Sequence, residues 1–154
     1  MTAIYFLRHG KADWPDWSRP DDERPLSQEG KKQMRRVALV LAKRGVRPAL
    51  LFSSPLPRAH ETAVIAGRAL GLPVGVEPSL APGFGVDALR LLLEMHPGQD
   101  LMLVGHEPDF SNVIEALTGG VVVMAKAGIA CVDLSDTSPP AGELRWLVSP
   151  HFLH

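Results

Sequence analysis

Short apolar runs alternate with segments of helical period along most of this chain, and that alternation leaves few folds open. Ile4–Leu7, Ala49–Ser53, Val74–Val76 and Asp100–Val104 are strand-length runs rich in branched and aromatic residues. Between them lie helical patterns with start and stop signals. Ser27 is placed to cap a helix on which Met34, Val37, Ala38 and Leu41 recur, with Lys43, Arg44 and Gly45 at its end. Pro57 to Leu70 carries a stripe of small residues (Ala59, Ala63, Ala66) that lets a helix sit close on a sheet, and Gly71 ends it. Val86 to His96 and Asp109 to Leu117 complete the set. Such alternation predicts an α/β fold: a single domain over residues 1–154, three layers deep, with a mostly parallel central sheet between helices. Two β-rich runs, Gly128–Leu134 and Glu143–Val148, close the chain without a helix between them. One of them is therefore expected to be antiparallel, at an edge. Asp136 to Gly142, with Pro139-Pro140, reads as the turn that joins them.

Composition narrows the function. The 154 residues are 45% hydrophobic and 21% charged, with a formal net charge of −1, which fits a globular chain rather than a disordered or fibrous one. That balance creates no global field to hold nucleic acid or an acidic membrane surface. No run approaches the roughly 20 apolar residues of a membrane span, and Ala3–Leu7 stops at Arg8 without the features of a signal peptide. Cys131 is alone, so no intramolecular disulfide forms, and a single thiol suits a reducing compartment. A cytoplasmic location is the expectation.

In an open α/β sheet, ligands sit beyond the carboxyl ends of the strands. Arg8-His9-Gly10 follow the first strand, Ser53-Ser54-Pro55-Leu56-Pro57-Arg58 follow the second, and Gly105-His106-Glu107 follow the Asp100–Val104 strand. Two arginines and two histidines are thereby delivered to one sheet edge. Two guanidiniums can hold a tetrahedral dianion. A neutral imidazole beside it is a competent nucleophile toward phosphorus. A second, protonated imidazole would add charge opposite the equatorial oxygens. Gly10 is expected to let the backbone turn sharply toward the anion, and the N-terminus of the Pro57–Leu70 helix to aim free N–H groups at it. Arg8, His9, Arg58 and His106 thus form a phosphate-handling set that needs no metal and no other cofactor.

These three motifs, in this order and spacing, with Ala59, Thr62 and Ala63 completing the second, resemble the histidine phosphatase superfamily, which includes the cofactor-dependent phosphoglycerate mutases. The resemblance runs from residue 4 to about residue 117 and implies a phosphoglycerate mutase-like fold. The short length, the Asp22-Glu23-Arg24-Pro25-Leu26-Ser27 run with Gly30, and Gly105-His106-Glu107-Pro108-Asp109 are similar to the SixA group of phosphohistidine phosphatases. Carried across residue by residue, the resemblance makes His9 the group that accepts the phosphoryl and Arg8, Arg58 and His106 its binding pocket. It implies a phosphohistidine-bearing protein domain as substrate, with phosphate or sulfate as pocket ligands.

One departure is informative. Many members of the superfamily place a glutamate acid after the third strand, but Leu80 to Gly85 contains no carboxylate. An alkoxide leaving group gains about 10²–10⁴-fold from such an acid. An imidazole leaving from a labile P–N bond needs less help. Asp13, Glu107 and Asp109 stand as other proton sources. A small-molecule phosphomonoesterase or mutase, and a phosphate-binding module without catalysis, are the competing readings.

The remaining candidates are read as structural. His60 belongs to a helix surface near the pocket rim, His96 to a helix C-terminus, and His151 and His154 to the tail. Lys11 and Asp13 are read as solvated loop charges. Trp14 and Trp17, in the long polar stretch from Gly10 to Pro25, are expected to cap the core or else to touch a docking protein. No histidine spacing of the HExxH kind occurs, and arginines beside His9 would repel a cation.

Overall fold

The computed structural model describes residues 2–153, so Met1 and His154 lie outside the description. Six strands form one sheet: β1 (Thr2–Arg8), β2 (Leu50–Ser53), β3 (Val74–Val76), β4 (Leu101–Gly105), β5 (Ile129–Thr137) and β6 (Pro140–Val148). The helices are α1 (Gln28–Lys43), α2 (Pro57–Leu70), α3 (Val86–Met95) and α4 (Asp109–Thr118). In the sheet the strands stand in the order β3-β2-β4-β1-β5-β6. β3, β2, β4 and β1 are mutually parallel.

Alternating side chains feed two cores. Ile4 and Phe6 of β1, Leu101 and Leu103 of β4, and Ala130 and Val132 of β5 pack with Leu89, Leu93, Phe110, Val113 and Ile114 of α3 and α4. Leu7, Leu51, Met102, Val104 and Ile129 face the other way, onto Met34, Val37, Leu41, Ala59, Ala63 and Ala66 of α1 and α2. Period-2 alternation thus makes the sheet the middle layer of three. Ala59, Ala63 and Ala66 are wholly buried, as a close-packed stripe requires. The Ser27 side chain accepts from the Gly30 N–H and starts α1, and Gly71 ends α2 in the left-handed conformation (φ 71°) that glycine tolerates best.

The last two strands differ from expectation. β5 is the antiparallel strand, and it lies one in from the edge, between β1 and β6. The edge strand β6 is antiparallel to β5 and so points the same way as β1. The turn is also much tighter than Asp136–Gly142: β5 runs to Thr137 and β6 starts at Pro140, paired with Thr137. A proline at the first residue of an edge strand leaves no ladder hydrogen bond unmade. Among the described residues no helix is long and apolar enough to cross a membrane.

Candidate active site

Sheet register builds the site. Arg8 of β1 pairs with Gly105 of β4, and Val104 of β4 pairs with Ser53 of β2, so three parallel strands end almost flush. The ladder continues just past them: His9 N–H donates to Gly105 O (3.1 Å) and Ser54 N–H to Val104 O (3.0 Å). After β1 the chain turns onto the α1 face, and after β4 onto the α4 face. The crevice between those two departures is where an α/β sheet binds ligands. His9 and His106 stand on its two sides, their ring centroids 5.5 Å apart.

His9 is 6% exposed. Its Nδ1 lies 2.8 Å from Gly10 O, and a carbonyl can only accept. The ring proton therefore sits on Nδ1, and Nε2 keeps its lone pair. Burial, reinforced by the nearby His106, Arg58 and Arg8, pulls the His9 pKa down to about 3. His106 is 4% exposed, with Nε2 2.8 Å from Ser54 Oγ. Burial and the charge of Arg58 lower its pKa to about 4. In the ligand-free protein both rings are thus uncharged at neutral pH, because neighbouring guanidiniums and desolvation oppose a further positive charge; the expected protonated second imidazole concerns the ring facing a bound dianion.

The guanidiniums supply that charge. Arg8 donates one terminal N–H to Met124 O (2.9 Å). Arg58 donates to Asp21 O (3.0 Å), and its other terminal nitrogen lies 3.6 Å from the Asp21 carboxylate. Burial lowers both pKa values from their ordinary level, yet arginine stays cationic. Three buried side-chain nitrogens of this cluster have no partner among the described residues: Arg8 Nε, Arg58 Nε and His106 Nδ1. Arg8 Nε and Arg58 Nε are donors by their chemistry, and orphan donors beside cationic groups match an anion that brings several acceptor oxygens.

Supporting contacts hold the frame. Thr62 Oγ1 accepts from Gly10 N–H (3.0 Å) and donates to Arg58 O (2.7 Å), tying the segment after His9 to the turn that carries Arg58. Gly10 is needed for closeness rather than for a sharp turn: a Cβ there would meet Met34 Cγ at 3.0 Å and Gly30 O at 3.3 Å. The N-terminus of α2 offers less than expected, since Pro57 has no N–H and the Ala59 and His60 N–H groups both return to Leu56 O. Ser54, Thr62 and Asp21 have roles that the sequence alone did not assign. Ser54 and Thr62 stand inside the second motif, which was the available signal. Asp21 had none beyond its acidic loop.

The other candidates fall into place around this frame. Lys11 pairs with Glu29, and Asp13 pairs with Lys126 (2.7 Å), whose hydrogen bond lowers the Asp13 carboxyl pKa. Glu107 accepts from Ser111 N–H (2.8 Å) in the first turn of α4. Asp109 accepts from Gly83 N–H (2.8 Å), which brings a carboxylate against the stretch that lacks one in sequence. Trp14 and Trp17 belong to neither core, which corrects the core-capping expectation. Their rings lie 6.1 Å apart beside Arg19, Asp21 and Arg24 in an open cleft of about 530 Å³. Arg24 donates to Ala12 O and pairs with Asp21 (3.1 Å), so the cleft adjoins Arg58 through Asp21. His60 is half-buried on α2, His96 caps α3 against Phe52, and His151 stacks on Phe152. Cys131 is buried, which pushes its thiol up to about 11.

Strand order, flush strand ends and paired imidazoles between guanidiniums are the marks of a phosphoryl-handling α/β protein. Residues 4–82 match the family model of the histidine phosphatase superfamily (branch 1), and the chain belongs to that superfamily. An uncharacterized protein of Picosynechococcus sp. is 37% identical over 135 residues, covering 82% of this chain and 81% of that protein. Glucosyl-3-phosphoglycerate phosphatase of Mycolicibacterium vanbaalenii is 39% identical over 82 residues, covering 52% of this chain and 36% of that protein. Among solved structures, the protein histidine phosphatase SixA complexed with tungstate superposes with a TM-score of 0.87 at 28% identity, covering 99% of this chain and all of that one.

Proposed function

We propose that this chain is a metal-independent phosphatase that removes phosphate from phosphohistidine on a protein domain, with His9 carrying the phosphoryl group between two steps. The observation that carries the reading is the His9 ring itself: buried and neutral, with its proton committed to Gly10 O and Nε2 left as the nucleophile. In the first step Nε2 attacks phosphorus in line, the P–N bond of the substrate breaks, and the leaving imidazole takes up a proton from solvent. In the second step water attacks the phosphoryl on His9, and inorganic phosphate and free His9 are regenerated. Arg8 and Arg58 balance the charge of the transferring group, and His106 completes the pocket around its oxygens. The SixA likeness over nearly the whole chain and the absence of a carboxylate from Leu80 to Gly85 favour a substrate whose leaving group is nitrogen. A protein that works on such a domain would act in the cytoplasm.

The similarity to glucosyl-3-phosphoglycerate phosphatase over half the chain favours a second reading, a small-molecule phosphomonoesterase. Asp109, which accepts from the Gly83 N–H, would then be a carboxylate at the place of the missing acid. A panel separates the two: phosphohistidine peptide, sugar phosphates and phosphoglycerates, each assayed by phosphate release on the parent and on His9→Ala. The parent should turn over phosphohistidine with the highest kcat/KM, and His9→Ala should show no turnover. Parent-level release by His9→Ala would end the reading, and a kcat/KM ranking led by a phosphate ester would move the assignment to the second. Phosphate binding without turnover of any substrate would leave only a binding module. Activity should survive EDTA.

A further inference from the structure

We propose that Ser54 is a positioning residue that fixes the tautomer of His106, so that a ring N–H rather than a lone pair is presented to the phosphoryl oxygen. The inference rests on the pocket reading above but stands on hydrogen-bond geometry of its own. Ser54 is 0% exposed, so its hydroxyl must find its partners inside the protein. A serine hydroxyl has one proton to give and two lone pairs. The Leu56 N–H donates to Ser54 Oγ (3.2 Å), which uses one lone pair. The neighbouring Ser53 hydroxyl turns to Ser54 O (2.8 Å) and does not compete. The remaining partner of Ser54 Oγ is His106 Nε2, at 2.8 Å.

For an uncharged ring, two arrangements fit that distance. If Nε2 carried the ring proton, Ser54 Oγ would accept twice and its own buried proton would have no acceptor, while Nδ1 would bring a lone pair to a phosphoryl oxygen. If Ser54 donates to Nε2, every proton in the chain from Leu56 to His106 is used, and the ring proton moves to Nδ1. That second arrangement leaves Nδ1–H as a donor, and Nδ1 is one of the three buried nitrogens without a partner among the described residues. Arg8 Nε and Arg58 Nε, the other two, are donors by their chemistry. A consistent set of three donors suits an anion, whereas a lone pair in their midst would repel it. The same logic already governs His9, where Gly10 O fixes the proton on Nδ1. The two rings thus share a tautomer but present opposite faces to the phosphoryl group. His9 offers the lone pair of Nε2, and His106 offers the proton of Nδ1. A hydrogen bond donated to Nε2 also stabilises the uncharged ring, in line with the depressed pKa of His106.

Long-range ¹H–¹⁵N correlation spectra of protein labelled on histidine nitrogens test this directly, with the His9 ring as internal standard. At pH 7 the parent should give the Nδ1–H pattern for His106, and added inorganic phosphate should shift the Nδ1 signal without moving the proton to Nε2. An Nε2–H pattern in the parent would overturn the proposal, whether or not any substrate is turned over. In Ser54→Ala the His106 signals should become a tautomer mixture, and the midpoint of ring protonation should move to higher pH. Inorganic phosphate should bind about 2- to 10-fold more weakly, the scale of one lost hydrogen bond. Ser54→Thr, which keeps the hydroxyl, should restore the single tautomer. A Ser54→Ala protein with a pure Nδ1–H pattern and an unmoved protonation midpoint would refute the role. Phosphatase failure on every substrate with the Nδ1–H pattern intact would instead count against the proposed function alone.

Discussion

Acid should weaken this fold through two named side chains. His9 and His106 are neutral when folded, with pKa values pulled down to about 3 and about 4, while an unfolded histidine titrates near 6.5. Between pH 6.5 and those folded values the unfolded chain binds more protons than the native one. Stability therefore rises with pH across that window, is complete above it, and is lost as pH falls. Each imidazole contributes a slope of about 1.4 kcal/mol per pH unit. From pH 7 to pH 5 that amounts to about 2 kcal/mol for each ring and about 4 kcal/mol for the two, a large share of the 5–15 kcal/mol typical of a domain. Both rings are almost fully buried, so solvent screening takes little from these figures. The assay is urea denaturation at half-unit steps from pH 7 to pH 5, run on the parent and on a His9→Asn, His106→Asn double variant. The carboxylates titrate alike in both proteins, so the difference between the two curves isolates the histidines. The parent should lose about 4 kcal/mol more than the variant over the interval. Parallel curves would refute the claim that these two rings are held neutral by the fold.

Three further outcomes follow from the contacts around the pocket. Thr62→Val removes the hydroxyl that bridges Gly10 N–H and Arg58 O and leaves a buried donor unpaired; urea denaturation should show a loss of about 1–3 kcal/mol, and an unchanged midpoint would refute the bridging role. Gly30→Ala drives a methyl group into the Lys11 carbonyl, two residues past His9; it should cost about 1–3 kcal/mol and lower phosphatase activity by shifting the segment after β1, while a variant as stable and active as the parent would contradict the packing. Asp21→Ala removes the exposed carboxylate that engages Arg58; calorimetric titration with inorganic phosphate should show affinity rising by about 1.5- to 5-fold, the range of an exposed ion pair, and weaker binding would show that Asp21 aids the anion instead.

What the sequence disclosed, it disclosed through local punctuation. Pro57 and Gly71 bracket α2, Ser27 caps α1, and the Val74–Val76 strand lies where its apolar run lies. The convergence of Arg8, His9, Arg58 and His106 was legible because each ends or follows a strand and parallel strands end at a common edge. The β5–β6 turn was misplaced because Ser135 to Ser138 are polar for another reason: they belong to the exposed end of an edge hairpin, which Pro140, Ala141 and Gly142 continue as strand. The protonation of His106 depends on burial and on Arg58, nearly fifty residues away in sequence, which no local pattern carries. Thr62, Ser54 and Asp21 act through partners 52, 52 and 37 residues away along the chain. Trp14 and Trp17 looked like core material by type, but their N–H groups turn to Pro25 O and Pro20 O, with Trp14 exposed and Trp17 half-buried outside both cores.

The flush endings of β1, β4 and β2 tie reactivity to the interior. Because successive side chains of β1 and β4 enter opposite cores, sliding either strand by one position would transpose every buried residue to the wrong layer. The separation of the two imidazoles is therefore metered by the pleat of the sheet itself, and whatever keeps Phe6 and Leu103 seated also keeps the His9 and His106 rings at their spacing. Loops outside that ruler are free to change in length and sequence while the spacing of the two rings stays put.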